Sequence, residues 1–447
     1  MKDHLPLSRI TKAMTDVSDI DFLEAESRLS AVRLAVLSDA EGARTPAGQA
    51  CLMTIMAAGV RTFSHITLIV ESDVELHRPQ PGAGTLFEFA RSLGVAIRSS
   101  VDAESTHLIS TPLVKTPAAV TFRCWWDGWN SGVLPGWETR PAGESWHPLA
   151  GTFAGALAVR EVFAMVRGVK AMKMLGNVVN LWEPWVPADQ GERGPSLVHV
   201  ARSMTLVGLG HLGQAVLWNM ALLPSPGHEI VLQDYQCAGS ENVPTGLLTK
   251  SSDVGRRKTR IANEWIEHFG WKTALIEKKF LPGVNSTTDD PAIVISALDK
   301  PEPRRDILAA KFPHMFDIGV GHGPVDFEIG QFRSFREGDE STWTDADAAV
   351  DVHARLGRKA YQGIDPCGAF TLASASVAVP FVGAALGAIC VSQLLRLGSG
   401  KQIPQLFQIE LTAPEMSSRG ALSRDELPRF GCVPVDLKAP ESSVEES

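Results

Sequence analysis

The sequence predicts an α/β protein of two parallel-sheet lobes in tandem, the first a worn copy of the second. Three observations carry that prediction. A strand, a glycine turn, a helix and a second strand follow one another from Met204 to Asp234. A fainter unit of the same order precedes it between Leu29 and Glu71. Each is followed, farther on, by a small-residue helix opening Phe-x-Gly-Ala, at Phe153 and at Phe381. Matches in the same order and topology point to duplication. Two related lobes on one chain would pack around a pseudo-twofold axis, as the subunits of a dimer do.

Composition sets the outer bounds. A chain of 447 residues predicts about two to three domains, and 44% apolar residues allow two well-packed cores. The net charge of -9 argues against a phosphate-backbone binder, so no nucleic-acid partner is expected. Met1 to Ile20 has no signal-peptide core and no run approaches about 18 uninterrupted apolar residues, so a cytoplasmic protein without a membrane span is expected. The six cysteines (51, 124, 237, 367, 390 and 432) include no Cys-x-x-Cys pair. That spacing fits neither a disulfide framework nor a zinc tetrad, and any special thiol acts alone.

In the first lobe (1–190), Leu29 to Leu37 reads as a strand, Ala47 to Gly59 as an apolar helix and Ile66 to Glu71 as a strand ending on an acid. Gly48-Gln49-Ala50 repeats as Gly213-Gln214-Ala215. Between strand and helix, however, stand Ser38-Asp39-Ala40-Glu41-Gly42 and Pro46, which cannot form a phosphate turn, so this lobe is expected not to bind nucleotide. Trp125, Trp126, Trp129, Trp137 and Trp146 read first as core and interface filling, with a docking surface as the functional alternative. Asn180 to Pro195, rich in Pro and Gly, reads as a linker.

The second lobe (191–402) holds the chemistry. After the buried strand at Val207, Gly208, Gly210 and Gly213 form Gly-x-Gly-x-x-Gly, and Gln214 to Leu223 continues as a helix. The strand Glu229 to Leu232 leads to Asp234, 21 positions past Gly213. Glycines let the backbone approach a phosphate, the helix start offers free N–H groups, and a carboxylate at the next strand end can hold ribose hydroxyls. Asn242, the run Asp253 to Lys258, and the strand Ala292 to Ser296 ending in Ala297-Leu298-Asp299 follow. Three strand ends of one parallel sheet would aim Gly208, Gly210, Asp234 and Asp299 into one crevice. Lys258 begins a helix that can lay its ammonium beside a triphosphate, and Asp299 can hold magnesium, a cation that prefers oxygen ligands. A dehydrogenase has no use for the Asn, the Lys and the second Asp.

With Asn242 eight beyond Asp234 and Lys258 sixteen beyond Asn242, the chain resembles the superfamily of ubiquitin-activating enzymes and ThiF/MoeB adenylyltransferases. The likeness covers Ser203 to Leu397 well and Arg28 to Arg167 faintly. It implies two Rossmann-like ThiF-type adenylation folds in tandem, the first degenerate, arranged as a pseudo-dimer. In so short a chain it looks most like the activating enzymes of bacterial ubiquitin-like conjugation operons of Bil type, which implies a role in antiviral defence. The implied cofactors are ATP and Mg2+: Asp234 on the ribose, Asn242 and Lys258 on the phosphates, Asp299 on the metal and the adenylation centre. Three departures stand out. Thr245 replaces the arginine of Asn-x-x-Arg, leaving Arg256, Arg257, Arg304, Arg9 or Arg28 to substitute. Gln236 replaces the second acid of Asp-x-Asp. The zinc-binding cysteine pairs are missing, so no structural metal is expected.

The resemblance implies that the C-terminal tail of a ubiquitin-like protein attacks the α-phosphate of ATP, and that a cysteine then takes the acyl group for a conjugating-enzyme-like partner. Cys51 and Cys390 lie in apolar helices, Cys124 in the other lobe and Cys432 in the C-terminal extension. Cys237 sits in the loop expected to grip nucleotide. Cys367, on the loop Gly363 to Gly368 after the charged stretch Arg336 to Arg358, is the favoured acceptor, in a cysteine loop spanning about 325–370. Pro324 to Phe335 is the expected crossover strand for the partner's tail. His211 is expected to face solvent or cap its helix, with His314 and His322 flanking a strand end. Residues 403–447 read as an extension that docks the conjugating enzyme and ends in a disordered acidic tail, Pro440 to Ser447. The alternative function is an adenylyltransferase acting on a sulfur-carrier protein or peptide without a thioester.

Overall fold

The computed structural model describes residues 9–15, 20–112, 114, 121–138, 140–169, 176–225, 228–321, 326–337, 339, 377–414, 417–420 and 431–438. The chain opens with α1 (Arg9–Thr15) and α2 (Phe22–Ser30). Asp21 starts α2 by accepting the Glu24 amide at 2.8 Å, a side-chain cap that satisfies an otherwise orphan donor. Leu29 and Ser30 are therefore helical rather than extended, and the strand β1 (Arg33–Leu37) begins later than its apolar run suggests.

In the first half, α3 (Pro46–Thr62) follows β1, and β2 (His65–Ile69) lies parallel to β1. A small hairpin of β3 (Glu75–Gln80) and β4 (Ala83–Thr85) leads into α4 (Leu86–Ser92), capped by Thr85 and Glu88. Then come β5 (Ala96–Arg98), β6 (His107–Ser110), β7 (Phe122–Asp127), β8 (Asn130–Pro135), α5 (Pro148–Arg167) and β9 (Asn177–Asn180). Among the described residues the sheet runs β5-β2-β1-β6-β7-β8-β9, parallel up to β7 and antiparallel beyond it.

The second half repeats that plan. After β10 (Leu197–Ala201) come β11 (Ser203–Val207), α6 (His211–Ala221), β12 (Glu229–Gln233), α7 (Lys258–Glu267), β13 (Lys272–Ile276), β14 (Ile293–Ser296) and α8 (Pro301–Ala309). β15 (His314–Val320), β16 (Ile329–Arg336), α9 (Pro380–Gly398), β17 (Leu406–Glu410), β18 (Ser418–Arg419) and β19 (Cys432–Asp436) complete it. Its sheet runs β13-β12-β11-β14-β15-β16-β17-β18, parallel up to β15. Both sheets therefore place the third, second, first, fourth and fifth parallel strands in that order before turning antiparallel.

The halves meet through their long helices. α5 packs on α3 and α9, and α9 packs on α6. Within each half small residues let the long helices approach closely: a Cβ on Gly151 of α5 would stand 1.9 Å from the Ala47 carbonyl of α3, and one on Gly387 of α9 would stand 2.7 Å from the Ala215 carbonyl of α6. Phe163 and Phe381 touch at 5.3 Å between ring centres. α5 and α9 are each long and apolar enough to cross a bilayer, but their apolar windows are 89% and 94% buried within the protein. Their hydrophobic surface is spent on each other and on the sheets.

The tryptophans fill the core as expected with one exception: Trp126 and Trp129 are core residues, Trp125 is buried with its indole donating to Pro141, and Trp146 packs against the core, whereas Trp137 is 70% exposed. Two expectations change. The 180–195 segment is a packed strap, not a free tether: Trp182 is buried, and Arg396 of α9 lies over the Trp182 and Trp185 rings while bonding Glu183 at 3.1 Å. The extension after 402 is not a separate arm through its described residues. β17 pairs with β16, and β19 pairs antiparallel with β10, so backbone hydrogen bonding draws this stretch into the second half. The acidic stretch Pro440 to Ser447 lies outside the described residues.

Candidate functional site

The cleft forms where β11, β12 and β14 end side by side. Gly208 adopts φ +92°, and a Cβ there would stand 2.7 Å from the Ala297 carbonyl, so the turn lies flat against the end of β14 only because it is glycine. Gly213 is needed beneath it: a Cβ would stand 2.0 Å from the Gly208 carbonyl. Gly210 precedes α6 and gives its first turn no side-chain cap, leaving amides there for an incoming acceptor.

Asp234 ties the turn to the next strand. Its Oδ2 accepts the Leu209 amide and its Oδ1 the Gln236 amide, each at 2.8 Å. Asn242 closes a short 3-10 turn, its Oδ1 accepting the Gly239 amide at 2.9 Å. Lys258, the first residue of α7, is buried along its stem and donates from Nζ to Gln236 Oε1 at 2.6 Å. Asp299, just beyond β14, is exposed and has no hydrogen-bonded or ion-pair partner among the described residues. Gly208, Gly210, Asp234, Asn242, Lys258 and Asp299 all line one cleft, and Gly213 supports it from below.

The positions that depart from the family pattern, Gln236 and Thr245, line the same cleft. Of the five arginines named as substitutes, Arg9 and Arg304 reach it. Arg304 is occupied: its Nε donates to the Leu298 carbonyl at 2.8 Å, and Nη1 meets Asp317 at 3.3 Å. Arg9 arrives from α1, in the opposite half. Arg28 pairs with Glu24, Arg256 with Asp253 and Glu264, and Arg257 donates to the Tyr235 carbonyl.

His211 is half-buried and caps no helix. It forms the cleft wall with an enclosed Nε2 that has no hydrogen-bond partner among the described residues. Burial and then nearby Arg9 push its ring down to about 4, against the pull of Asp299. Glu241 also lines the cleft, one residue before Asn242, and no spacing rule marked it beforehand. His314 is buried at the start of β15, and His322 lies outside the described residues.

Cys367 and its loop lie outside the described residues. Among the described cysteines, Cys51, Cys124 and Cys390 are buried. Burial, helped by Cys124, raises the Cys51 thiol, and burial alone pushes Cys390 up to about 12. Cys432 sits in β19, its thiol also raised by burial. Cys237 is exposed, three residues past Asp234 and bridged to Arg257. The expected crossover strand is covered on both edges over Gly330 to Arg333, where β16 pairs with β15 on one side and with β17 on the other. A partner's tail therefore cannot add to it there, because its backbone groups are already taken.

The Rossmann-like α/β fold and a glycine-turn cleft carrying Lys258 and Asp299 fit the class of E1-like proteins. Residues 33–176 match the BilD N-terminal domain and residues 200–401 the BilD C-terminal domain. Bacterial E1-like protein BilD of Collimonas sp. (strain OK412) is 31% identical over 420 residues, spanning 89% of this chain and 90% of that protein. The chain belongs to the BilD family of bacterial E1-like proteins.

Proposed function

We propose that the chain activates the C-terminus of a ubiquitin-like protein at the expense of ATP. The tail carboxylate attacks the α-phosphorus, forming an acyl–O–P bond as the bond to the β-phosphate breaks and pyrophosphate leaves. A cysteine thiolate then attacks the acyl carbon, AMP departs and a thioester remains for a conjugating-enzyme-like protein. The setting this reading requires is the cytoplasm, where ATP and both partners meet.

The observation that carries the reading is the pairing of Lys258 with a neutral amide. Its ammonium faces the cleft without a carboxylate partner among the described residues, so its charge is available to a polyphosphate. An attack by one anion on another is repulsive, and fixed cations offset that repulsion in the transition state. Arg9 supplies the positive charge that Thr245 does not, with Arg304 held by Leu298 and Asp317. Asp234 and Asn242 hold ribose and phosphate. The exposed carboxylate of Asp299, without a partner among the described residues, lies in the same cleft and suits magnesium, a hard cation that would neutralise phosphate charge when bound.

The first half serves as a degenerate partner lobe, an arrangement supported by the shared strand order. At the place of its glycine turn, Asp39 accepts the Gly42 amide and Thr45 caps α3 through the Gly48 amide, so the groups a phosphate needs are engaged. Cys367 remains the proposed thioester cysteine, with exposed Cys237 next.

ATP–pyrophosphate exchange dependent on the ubiquitin-like protein, together with a thiol-labile adduct lost in Cys367→Ala, is the expected result. Exchange without any such adduct selects the sulfur-carrier or peptide reading. NAD in place of ATP over Gly208 and Gly210, or no nucleotide binding, overturns both.

A further inference from the structure

Arg61, in the last turn of α3, belongs to the half that lacks the glycine turn, yet its guanidinium reaches across to the other half. Its Nε donates to the Gly246 carbonyl at 2.8 Å, and its Nη2 donates to the Leu247 and Thr249 carbonyls at 2.8 and 3.2 Å. The remaining nitrogen, Nη1, donates to Ala57 of its own helix at 2.7 Å. No carboxylate pairs with it among the described residues, and burial lowers its pKa to about 10, so the group stays charged while serving only carbonyls.

Those carbonyls belong to the segment that follows Asn242 and Thr245. The Gly246 amide donates to the Asn242 carbonyl at 2.8 Å. The far end of the segment is pinned by Gln214 of α6, whose Oε1 accepts the Leu248 and Thr249 amides at 3.0 and 3.2 Å. The same side chain donates from Nε2 to the Leu209 carbonyl, inside the glycine turn, at 3.2 Å. Arg61 thus grips a loop joined at one end to Asn242 and at the other to the turn that Asp234 ties.

A second arginine crosses between the halves and makes the comparison. Arg78 of β3 donates to the Ala221 carbonyl at 3.0 Å and lies 5.3 Å from the centre of the Phe269 ring. It clamps the ends of α6 and α7, not the loop that lines the cleft.

We propose that Arg61 is a positioning residue for nucleotide: through it, the lobe without a nucleotide turn holds the 242–249 loop in the conformation that presents Asn242 and Thr245 to the cleft. The proposal rests on the ATP reading above. Full-length protein is titrated calorimetrically with magnesium-ATP, and hydrogen exchange is followed in residues 242–249 without nucleotide. Arg61→Met weakens binding about tenfold, because several charge-assisted hydrogen bonds to the loop are lost. Arg61→Lys, which keeps the charge and guards against a variant that does not fold, restores part of the loss. Arg78→Met lowers the melting temperature and leaves ATP affinity within about twofold. Exchange of the 242–249 amides speeds up in Arg61→Met and not in Arg78→Met. A folded Arg61→Met that binds ATP as the unmodified chain does, or equal weakening in both arginine variants, overturns the proposal. An unmodified chain that takes no ATP overturns the cleft reading and the role of Arg61 in it, and the exchange measurement separates that failure from a loop Arg61 never held.

Discussion

The Lys258 ammonium donates to the Oε1 of Gln236 across 2.6 Å, a cation resting against a neutral amide at the edge of the cleft. Were position 236 acidic, as in the family pattern, Lys258 would pair with a carboxylate before nucleotide arrived. Gln236→Glu is therefore expected to weaken ATP binding about tenfold, the scale of one charge-assisted pair in a partly solvated site. The loss should shrink as salt screens the new pair. Calorimetric titration at low and high ionic strength checks this, and unchanged affinity at low salt would show that the Lys258 charge does not serve the nucleotide.

The close contact of helix backbones at Gly151 and Gly387 gives a prediction about stability. Alanine at 151 would drive a methyl into the Ala47 carbonyl at 1.9 Å, and alanine at 387 would press on the Ala215 carbonyl at 2.7 Å. Neither obstacle is a flexible side-chain end, so helices must move apart. Each substitution should cost about 1–3 kcal/mol, the larger loss falling at Gly151. Denaturant unfolding of the two variants measures it, and an unchanged midpoint for Gly151→Ala would mean that α3 and α5 have freedom to separate.

Local signals made the cleft legible and distant ones hid the rest. Lys258 starts α7 as expected, and the glycine turn lies where its spacing put it, because both are set by neighbours in sequence. Leu29 misled because its apolar run continues into β1, while the Asp21 cap that makes it helical lies eight residues earlier. Strands β17 and β19 are short, and their pairing partners lie far away in the chain, so the segment after 402 resembled a loose arm. Arg61 and Arg78 look like ordinary solvated charges, since their acceptors stand 185 and 143 residues away. No periodicity can report such a contact.

His147 gives a prediction about pH. It is fully buried, stacked on Trp146 and edge-on to Trp129, with neither ring nitrogen hydrogen-bonded among the described residues. Burial lowers its pKa from 6.5 to about 3. The unfolded chain therefore binds a proton there below about pH 6.5 that the folded chain refuses. The stability this neutral ring contributes is present above pH 6.5 and is lost as pH falls toward 3. For this one group the slope approaches about 1.4 kcal/mol per pH unit below pH 6. Unfolding curves at pH 7, 6 and 5 should show a flatter dependence in His147→Phe, which keeps the ring stack. Equal slopes would assign the acid sensitivity elsewhere.

A buried ion cluster joins the two halves beside α9. Arg160 of α5 donates to Glu328 at 2.6 Å and to Glu161 at 2.8 Å, and Arg167 stands 3.6 Å from Glu328. Burial alone would weaken the Arg160 charge, but Glu328 and Glu161 outweigh it and raise its pKa. Glu328 comes from the second half, immediately before β16, whereas Glu161 and both arginines come from α5 in the first. Removing Glu328 leaves two enclosed arginines, Arg160 and Arg167, with one acceptor fewer and Glu161 still beside Arg160, so Glu328→Gln should destabilise the protein by about 3 kcal/mol. Replacing both partners, Arg160→Met with Glu328→Leu, removes the closest pair together but leaves Glu161 and Arg167 in the cluster, and should recover part of that loss. A double-mutant cycle on the folded chain separates the terms, and the coupling should exceed about 2 kcal/mol. A coupling near zero would mean that these charges are tolerated rather than required for joining the halves.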